Sequence, residues 1–219
     1  MTREDSPEER PRDPLVIRSL DFLGGMAVAG GWRPPESLPE IAFVGRSNVG
    51  KSSLLNTLVR RKAFARVSRT PGRTQEVNFF DVNHQFILVD LPGYGYARVA
   101  KTKRHDWQPL IDAYLRNTSQ LRGVVVLMDV RRDPADDDVA MLEYLAELEI
   151  PALVAITKID KLGKQARGEA LTRILAATGL DDDQVIPFSA QTGEGRDEIA
   201  EALVGLLTAP PWRDPAGEP

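Results

Sequence analysis

Hydrophobic positions fall into short apolar runs separated by stretches with helical spacing. Ile41-Ala42-Phe43-Val44 is one such run, stopping at Gly45. Residues 51–60 then carry Leu54, Leu55 and Leu58 on one helical face. Phe79-Phe80 to Val82 and Phe86 to Val89 read as two strands, with Val82-Asn83-His84-Gln85 as a hairpin turn between them. Val124–Met128 and Ala152–Ile156 read as buried strands and Gln184–Phe188 as a further strand. Helical spacing marks residues 106–117, 136–148, 164–177 and 194–207. Short apolar strands alternating with amphipathic helices predict an α/β fold. The expected sheet has six strands and is mostly parallel, with helices on both faces. The pair at 79–89 supplies one antiparallel edge strand.

The ends of the chain break this pattern. Residues 1–14 hold Pro7, Pro11 and Pro14 with five acidic and three basic residues, which predicts a disordered tail. Residues 209–219 are Pro-rich and are expected to be flexible. Between them, residues 15–208 read as a single domain, with residues 15–40 as a short N-terminal extension.

Composition narrows the chemistry. The chain has 219 residues, 42% of them hydrophobic and 27% charged, as in an ordinary soluble globular protein. It has no cysteine, which excludes disulfides, cysteine nucleophiles, thiolate metal sites and iron–sulfur clusters. His84 and His105 are the only histidines, so a multi-histidine metal site within one chain is not expected. The longest apolar runs are far too short to cross a bilayer, and the acidic, polar start is no secretory signal. A cytoplasmic protein without membrane attachment, and a monomer, is expected.

Gly45-Arg46-Ser47-Asn48-Val49-Gly50-Lys51-Ser52 fits G-x-x-x-x-G-K-[ST], between an apolar strand and an amphipathic helix. Glycines at these places let consecutive backbone N–H groups turn towards phosphate oxygens. The start of the following helix adds positive partial charge. In this arrangement Lys51 bridges the β- and γ-phosphates and Ser52 ligates Mg²⁺.

The loop alone does not separate ATPases, kinases and GTPases, so the downstream residues decide. Asp90-Leu91-Pro92-Gly93 ends the strand Phe86–Val89, where a carboxylate faces the ligand side of such a sheet. Asp90 can hold Mg²⁺, and the Gly93 N–H can reach a γ-phosphate. Thr157-Lys158-Ile159-Asp160 follows the strand Ala152–Ile156. Asp160 can accept from guanine N1 and N2, while adenine leaves that acceptor unpaired. The Lys158 stem can lie over the base. Ser189-Ala190, after the last strand, are small enough for backbone N–H groups to approach guanine O6. Ser68 to Gln75 is polar and punctuated by Pro71 and Gly72, as expected of a loop closing over a γ-phosphate. Thr74, with Thr70 as second choice, is the hydroxyl expected on Mg²⁺. Asp160 and Ser189-Ala190 argue against the alternative of an ATP-dependent small-molecule kinase.

The ordered series GRSNVGKS, TPGRT, DLPG, TKID and SA resembles the five motifs of translation-factor-class GTPases. PEIAFVGRSNVGKSSLLN, SRTPGRTQEVNFF, LVDLPGYGYA and TKIDK resemble, more narrowly, the EngB family. The likeness spans roughly residues 15–208. It implies a Ras-like domain that binds GTP or GDP with Mg²⁺ and acts in large ribosomal subunit assembly, linked to cell division and septation. It also implies that nucleotide contacts extend to Ser53, Gly72, Arg73, Gln75, Glu76, Leu91, Pro92, Ile159 and Phe188. Lys51, Asn48, Thr74 and Gly93 are the residues expected to serve catalysis.

Two positions depart from the wider GTPase pattern. Tyr94 follows Gly93 where many GTPases carry a water-orienting glutamine. Slow intrinsic hydrolysis is expected, and a GTP-binding assembly placeholder with little hydrolysis is the alternative. Related GTPases hold an activating K⁺ with a phosphate-loop asparagine, and Asn48 takes that place here. Thr157 stands where the superfamily usually has asparagine, and the EngB resemblance includes it.

Charge is uneven along the chain. Overall, 28 Lys and Arg against 32 Asp and Glu give −4, which argues against a nucleic-acid partner. Residues 45–104 reverse this. They hold Arg46, Lys51, Arg60, Arg61, Lys62, Arg66, Arg69, Arg73, Arg98, Lys101, Lys103 and Arg104, opposed only by Glu76, Asp81 and Asp90. A basic patch facing the RNA of a large-subunit precursor is the expectation.

Overall fold

A computed structural model describes residues 13–35, 37–60, 76–94 and 109–211. Seven strands form one sheet: β1 (Leu20–Met26), β2 (Glu40–Gly45), β3 (Val77–Val82), β4 (Phe86–Asp90), β5 (Leu121–Asp129), β6 (Ala152–Thr157) and β7 (Val185–Pro187). Their order across the sheet is β1-β3-β4-β2-β5-β6-β7. Among the described residues, five α-helices accompany it: α1 (Lys51–Leu58), α2 (Pro109–Asn117), α3 (Asp136–Glu147), α4 (Lys164–Thr178) and α5 (Arg196–Thr208). This is the Ras-like α/β architecture.

The strand count and the edge differ from expectation. The stretch read as a simple extension contains β1, so the sheet has seven strands rather than six. β1 is antiparallel to β3, and β3 is antiparallel to β4. The reversed strand β3 therefore lies inside the sheet, and β1 forms the edge. A register shift between Phe22 and Gly24 interrupts β1, so its sequence shows no clean alternation. The last strand is shorter than its pattern suggests, because Gln184 belongs to a 3₁₀ turn before it.

Each central strand feeds two cores. Ala42, Val44, Val89, Val124, Val126, Val154 and Ile156 pack with residues of α2, α3 and α4. Ile41, Phe43, Leu88, Val125, Leu127 and Ala155 pack with Leu54, Leu55 and Leu58 of α1 and Ile199, Ala200 and Leu203 of α5. A strand buried on both faces must be apolar at successive positions, which is why these segments read as continuous runs.

Side chains fasten the N-terminal stretch to this frame. The buried Arg196 guanidinium pairs with Asp13 and donates to the carbonyls of Leu15 at 3.0 Å and Leu58 at 3.1 Å. Asn83, in the β3–β4 turn, accepts from the amides of Arg18 and Ser19 and donates to Val16 O at 2.8 Å. Among the described residues, no helix is long and apolar enough to cross a membrane.

Candidate functional site

β2, β4, β5, β6 and β7 run parallel. Their C-terminal ends therefore lie together, where open α/β sheets bind ligands. Gly45, Asp90, Asp129, Thr157 and the residues after Pro187 stand at that end.

The phosphate loop leaves β2 at Gly45 and enters α1 at Lys51. Gly50, immediately before α1, has φ 114°, a backbone conformation that side chains oppose. Arg46 and Ser47 are partly exposed, Asn48 is exposed and Val49 is buried. Ser52 and Ser53 follow Lys51 in the first helical turn, Ser53 exposed. Lys51 Nζ donates to the Asp90 carboxylate and to Leu91 O. A strand-end carboxylate and the loop lysine are thus held together, each largely shielded from water.

The D-x-P-G turn is packed onto the loop. Leu91 and Pro92 are buried, and the Leu91 amide donates to Phe43 O at 3.0 Å. A Cβ on Gly93 would lie 3.2 Å from Ser47 Oγ and 3.3 Å from Gly45 O. Only glycine allows this close approach without displacing the loop. Tyr94 lies 4% exposed, with its hydroxyl donating to Asp138 Oδ1 at 2.9 Å. Its side chain points into the protein, so it does not stand in for a water-orienting glutamine.

The T-K-x-D segment is tied directly to the phosphate loop. Thr157 Oγ1 lies 2.6 Å from Val49 O and 3.0 Å from Met128 O, and its single proton serves these two carbonyls. Threonine here spans the gap to the loop without a side-chain amide. Lys158 adopts φ 62°, and its Nζ donates to Asn48 O at 2.7 Å and Asp129 Oδ2 at 2.8 Å. Ile159 is buried beneath this segment.

Asp160 is oriented by its neighbours. Ser189 Oγ donates to Asp160 Oδ1 at 2.8 Å and itself accepts from the amides of Gln191 and Thr192. The Ser189 bond, followed by Lys161, lowers the Asp160 pKa below the usual carboxylate value. Phe188 is buried and its amide donates to Ile156 O at 2.7 Å, while Ala190 is exposed.

Two features of the site escape sequence reasoning. Asp129 closes β5 and holds both Lys158 and Arg131, with Arg131 NH2 at 2.7 Å from Oδ2. Burial works against its charge, yet bonds from Arg131 and Lys158 outweigh this and hold its pKa well below the usual range. Its signal is the same as that of Asp90: a carboxylate ending an apolar strand. The second feature is the Ser189 hydroxyl, which holds Asp160, where the sequence points only to the small size of Ser189.

Gly72, Arg73, Thr74 and Gln75, with Thr70, fall outside the described residues, as do Arg61, Lys62, Arg66, Arg69, Arg98, Lys101, Lys103 and Arg104. Glu76 is exposed, just before β3. Among the described residues no group of three or more acidic, His or Cys side chains gathers as a metal site. The Ser52 hydroxyl and Asp90 carboxylate are hard oxygen donors. Such donors suit Mg²⁺, which takes few protein ligands and keeps water and phosphate oxygens.

The sheet topology together with this loop defines a P-loop GTPase of the Ras-like class. Residues 40–158 match the family model described as 50S ribosome-binding GTPase. The chain is 62% identical to a probable GTP-binding protein EngB from Gemmatimonas aurantiaca over 91% of this chain and 98% of that one. It is 48% identical to the Syntrophotalea carbinolica protein of the same description, over 86% and 91% of the two chains. A crystal structure of a probable GTP-binding protein engB shares the fold with a TM-score of 0.60 at 23% identity, over 77% of this chain and 98% of that one. The chain belongs to the EngB family of GTP-binding proteins.

Proposed function

We propose that this protein is a GTP-operated switch in large ribosomal subunit assembly, acting as a cytoplasmic monomer on which normal cell division and septation depend. Its intrinsic hydrolysis of GTP to GDP and phosphate is slow. The observation that carries the nucleotide part is the tie between the two halves of the site. Thr157 and Lys158 bond to the carbonyls of Val49 and Asn48, so base recognition and phosphate recognition share one rigid frame. The family description as 50S ribosome-binding supports the partner. So does the basic excess across residues 45–104.

The chain's residues divide the work. Lys51 exchanges its Asp90 and Leu91 contacts for β- and γ-phosphate oxygens. The amides from Arg46 to Ser53 line the phosphates. Asp160, oriented by Ser189, accepts from guanine N1 and N2, and an acceptor left unpaired disfavours adenine. The Gly93 amide meets the γ-phosphate, and the segment bearing Thr74 closes on it. Ser52, Thr74 and Asp90 would hold Mg²⁺, which neutralises charge between the β- and γ-oxygens. Asn48 would hold K⁺ beside the phosphates.

A second reading rests on Tyr94. Its engaged hydroxyl leaves no side chain at that position to orient water, which favours an assembly placeholder that hydrolyses little GTP. Turnover measured with ribosomal particles separates the two. The main test is co-sedimentation with large-subunit precursors. Retention is expected with a non-hydrolysable GTP analogue and release with GDP. Equal retention in both would remove the switch.

A further inference from the structure

Gly93 has no side chain to hold it in place. Its position is inherited from Pro92 on one side and Tyr94 on the other. Two backbone bonds join Tyr94 to the phosphate loop: its amide donates to Gly45 O and its carbonyl accepts from Ser47 N. Both are 3.3 Å long, beyond the usual 2.7–3.2 Å for such bonds. The shorter anchor is the side chain, whose hydroxyl meets Asp138 Oδ1 at 2.9 Å. Tyr94 and Asp138 are 4% and 5% exposed. A bond to a carboxylate in such surroundings is stronger than one between neutral groups.

Asp138 is itself fixed. It is the third residue of α3, and its Oδ2 accepts from the Ala135 amide at 2.9 Å, capping the helix. One carboxylate therefore serves two donors, one at the start of α3 and one beside the D-x-P-G turn.

We propose that Tyr94 is a positioning residue that holds the Gly93 amide against the phosphate loop through Asp138, and so sets the affinity for nucleoside triphosphate relative to diphosphate. The inference rests on the proposed contact between Gly93 and the γ-phosphate. A diphosphate uses the loop amides, Lys51 and Asp160, and of these only the Ser47 amide touches Tyr94, through its backbone carbonyl and not its hydroxyl. A triphosphate adds the contact that does.

The test uses the full chain with Mg²⁺, binding GDP and a non-hydrolysable GTP analogue, together with urea unfolding. Tyr94→Phe keeps the ring in the core and removes only the hydroxyl. It should weaken the analogue at least fivefold and leave GDP within twofold. Asp138→Asn should move the ratio of the two affinities in the same direction. The double variant should be no worse than the stronger single one, because both break one bond. Equal losses for both nucleotides, or an unchanged ratio in Tyr94→Phe, would overturn the positioning role whatever happens to stability. A Gly93→Pro variant, which lacks the amide proton, whose ratio of the two affinities matches the wild type would instead overturn the γ-phosphate contact on which the inference stands.

Discussion

Ser189 Oγ donates to Asp160 Oδ1 across 2.8 Å, while two backbone amides hold Ser189 from behind. The carboxylate is therefore held in a fixed direction by the fold. Ser189→Ala should weaken guanine nucleotide binding about tenfold, the equivalent of ~1.4 kcal/mol and within reach of one bond to a charged group. Asp160→Asn should move preference from GTP towards XTP. Competition binding with the two nucleotides checks both, and unchanged selectivity in Asp160→Asn would remove Asp160 from base recognition.

Thr157→Val keeps the shape of the side chain and deletes the hydroxyl bonded to Val49 O. A buried carbonyl left without its donor costs about 1–3 kcal/mol. Urea unfolding should show a loss of that size, with weaker nucleotide binding because the phosphate loop loses a tie. A variant as stable as the wild type would mean that the tie holds nothing.

Asp129 makes stability depend on pH with a definite sign. Its pKa in the folded protein is depressed, so the folded state favours the ionised form. The contribution is fully present above the unfolded value of about 3.9 and fades as pH falls below it. Asp129→Asn should lower stability near pH 6 and narrow its gap to the wild type near pH 3. Urea midpoints at the two pH values measure this, and a gap that widens in acid would reverse the assignment.

Hydrolysis should be faster in K⁺ than in Na⁺ if Asn48 helps hold a cation beside the phosphates. Phosphate release in matched chloride buffers decides the matter, and equal rates would discard K⁺ activation.

Binding to large-subunit precursors should fall steeply with salt, because each neutralised phosphate releases counterions. Replacing Arg98, Lys101, Lys103 and Arg104 together by alanine should weaken binding and flatten the salt slope. Sedimentation between low and moderate salt gives both quantities. Binding indifferent to salt and to the four substitutions would refute an RNA-facing basic patch.

Much of this fold is legible because strands buried on both faces must be apolar throughout. β2, β5 and β6 announce themselves in this way, and the phosphate loop, D-x-P-G and T-K-x-D follow strand ends at fixed spacing. β1 is not legible for the opposite reason. Phe22 and Leu23 are exposed at its middle, and a bulge breaks its period. Asp129 obeys the strand-end rule but belongs to no familiar string. Tyr94 reads as a missing glutamine in sequence. Its role depends on Asp138, 44 residues later in the chain, and only the folded sheet brings the two together.

The β3–β4 hairpin turns at Asn83 and His84, both with positive φ. Its open end pairs Asn78 with Asp90. Glu76 leads into this end, and the D-x-P-G turn follows Asp90. Sliding β3 by a single residue would turn Phe79 and Phe80 to the wrong faces and move Asn78 away from Asp90. The hairpin works as a gauge block: its register sets where β3 begins relative to the strand-end carboxylate of Asp90.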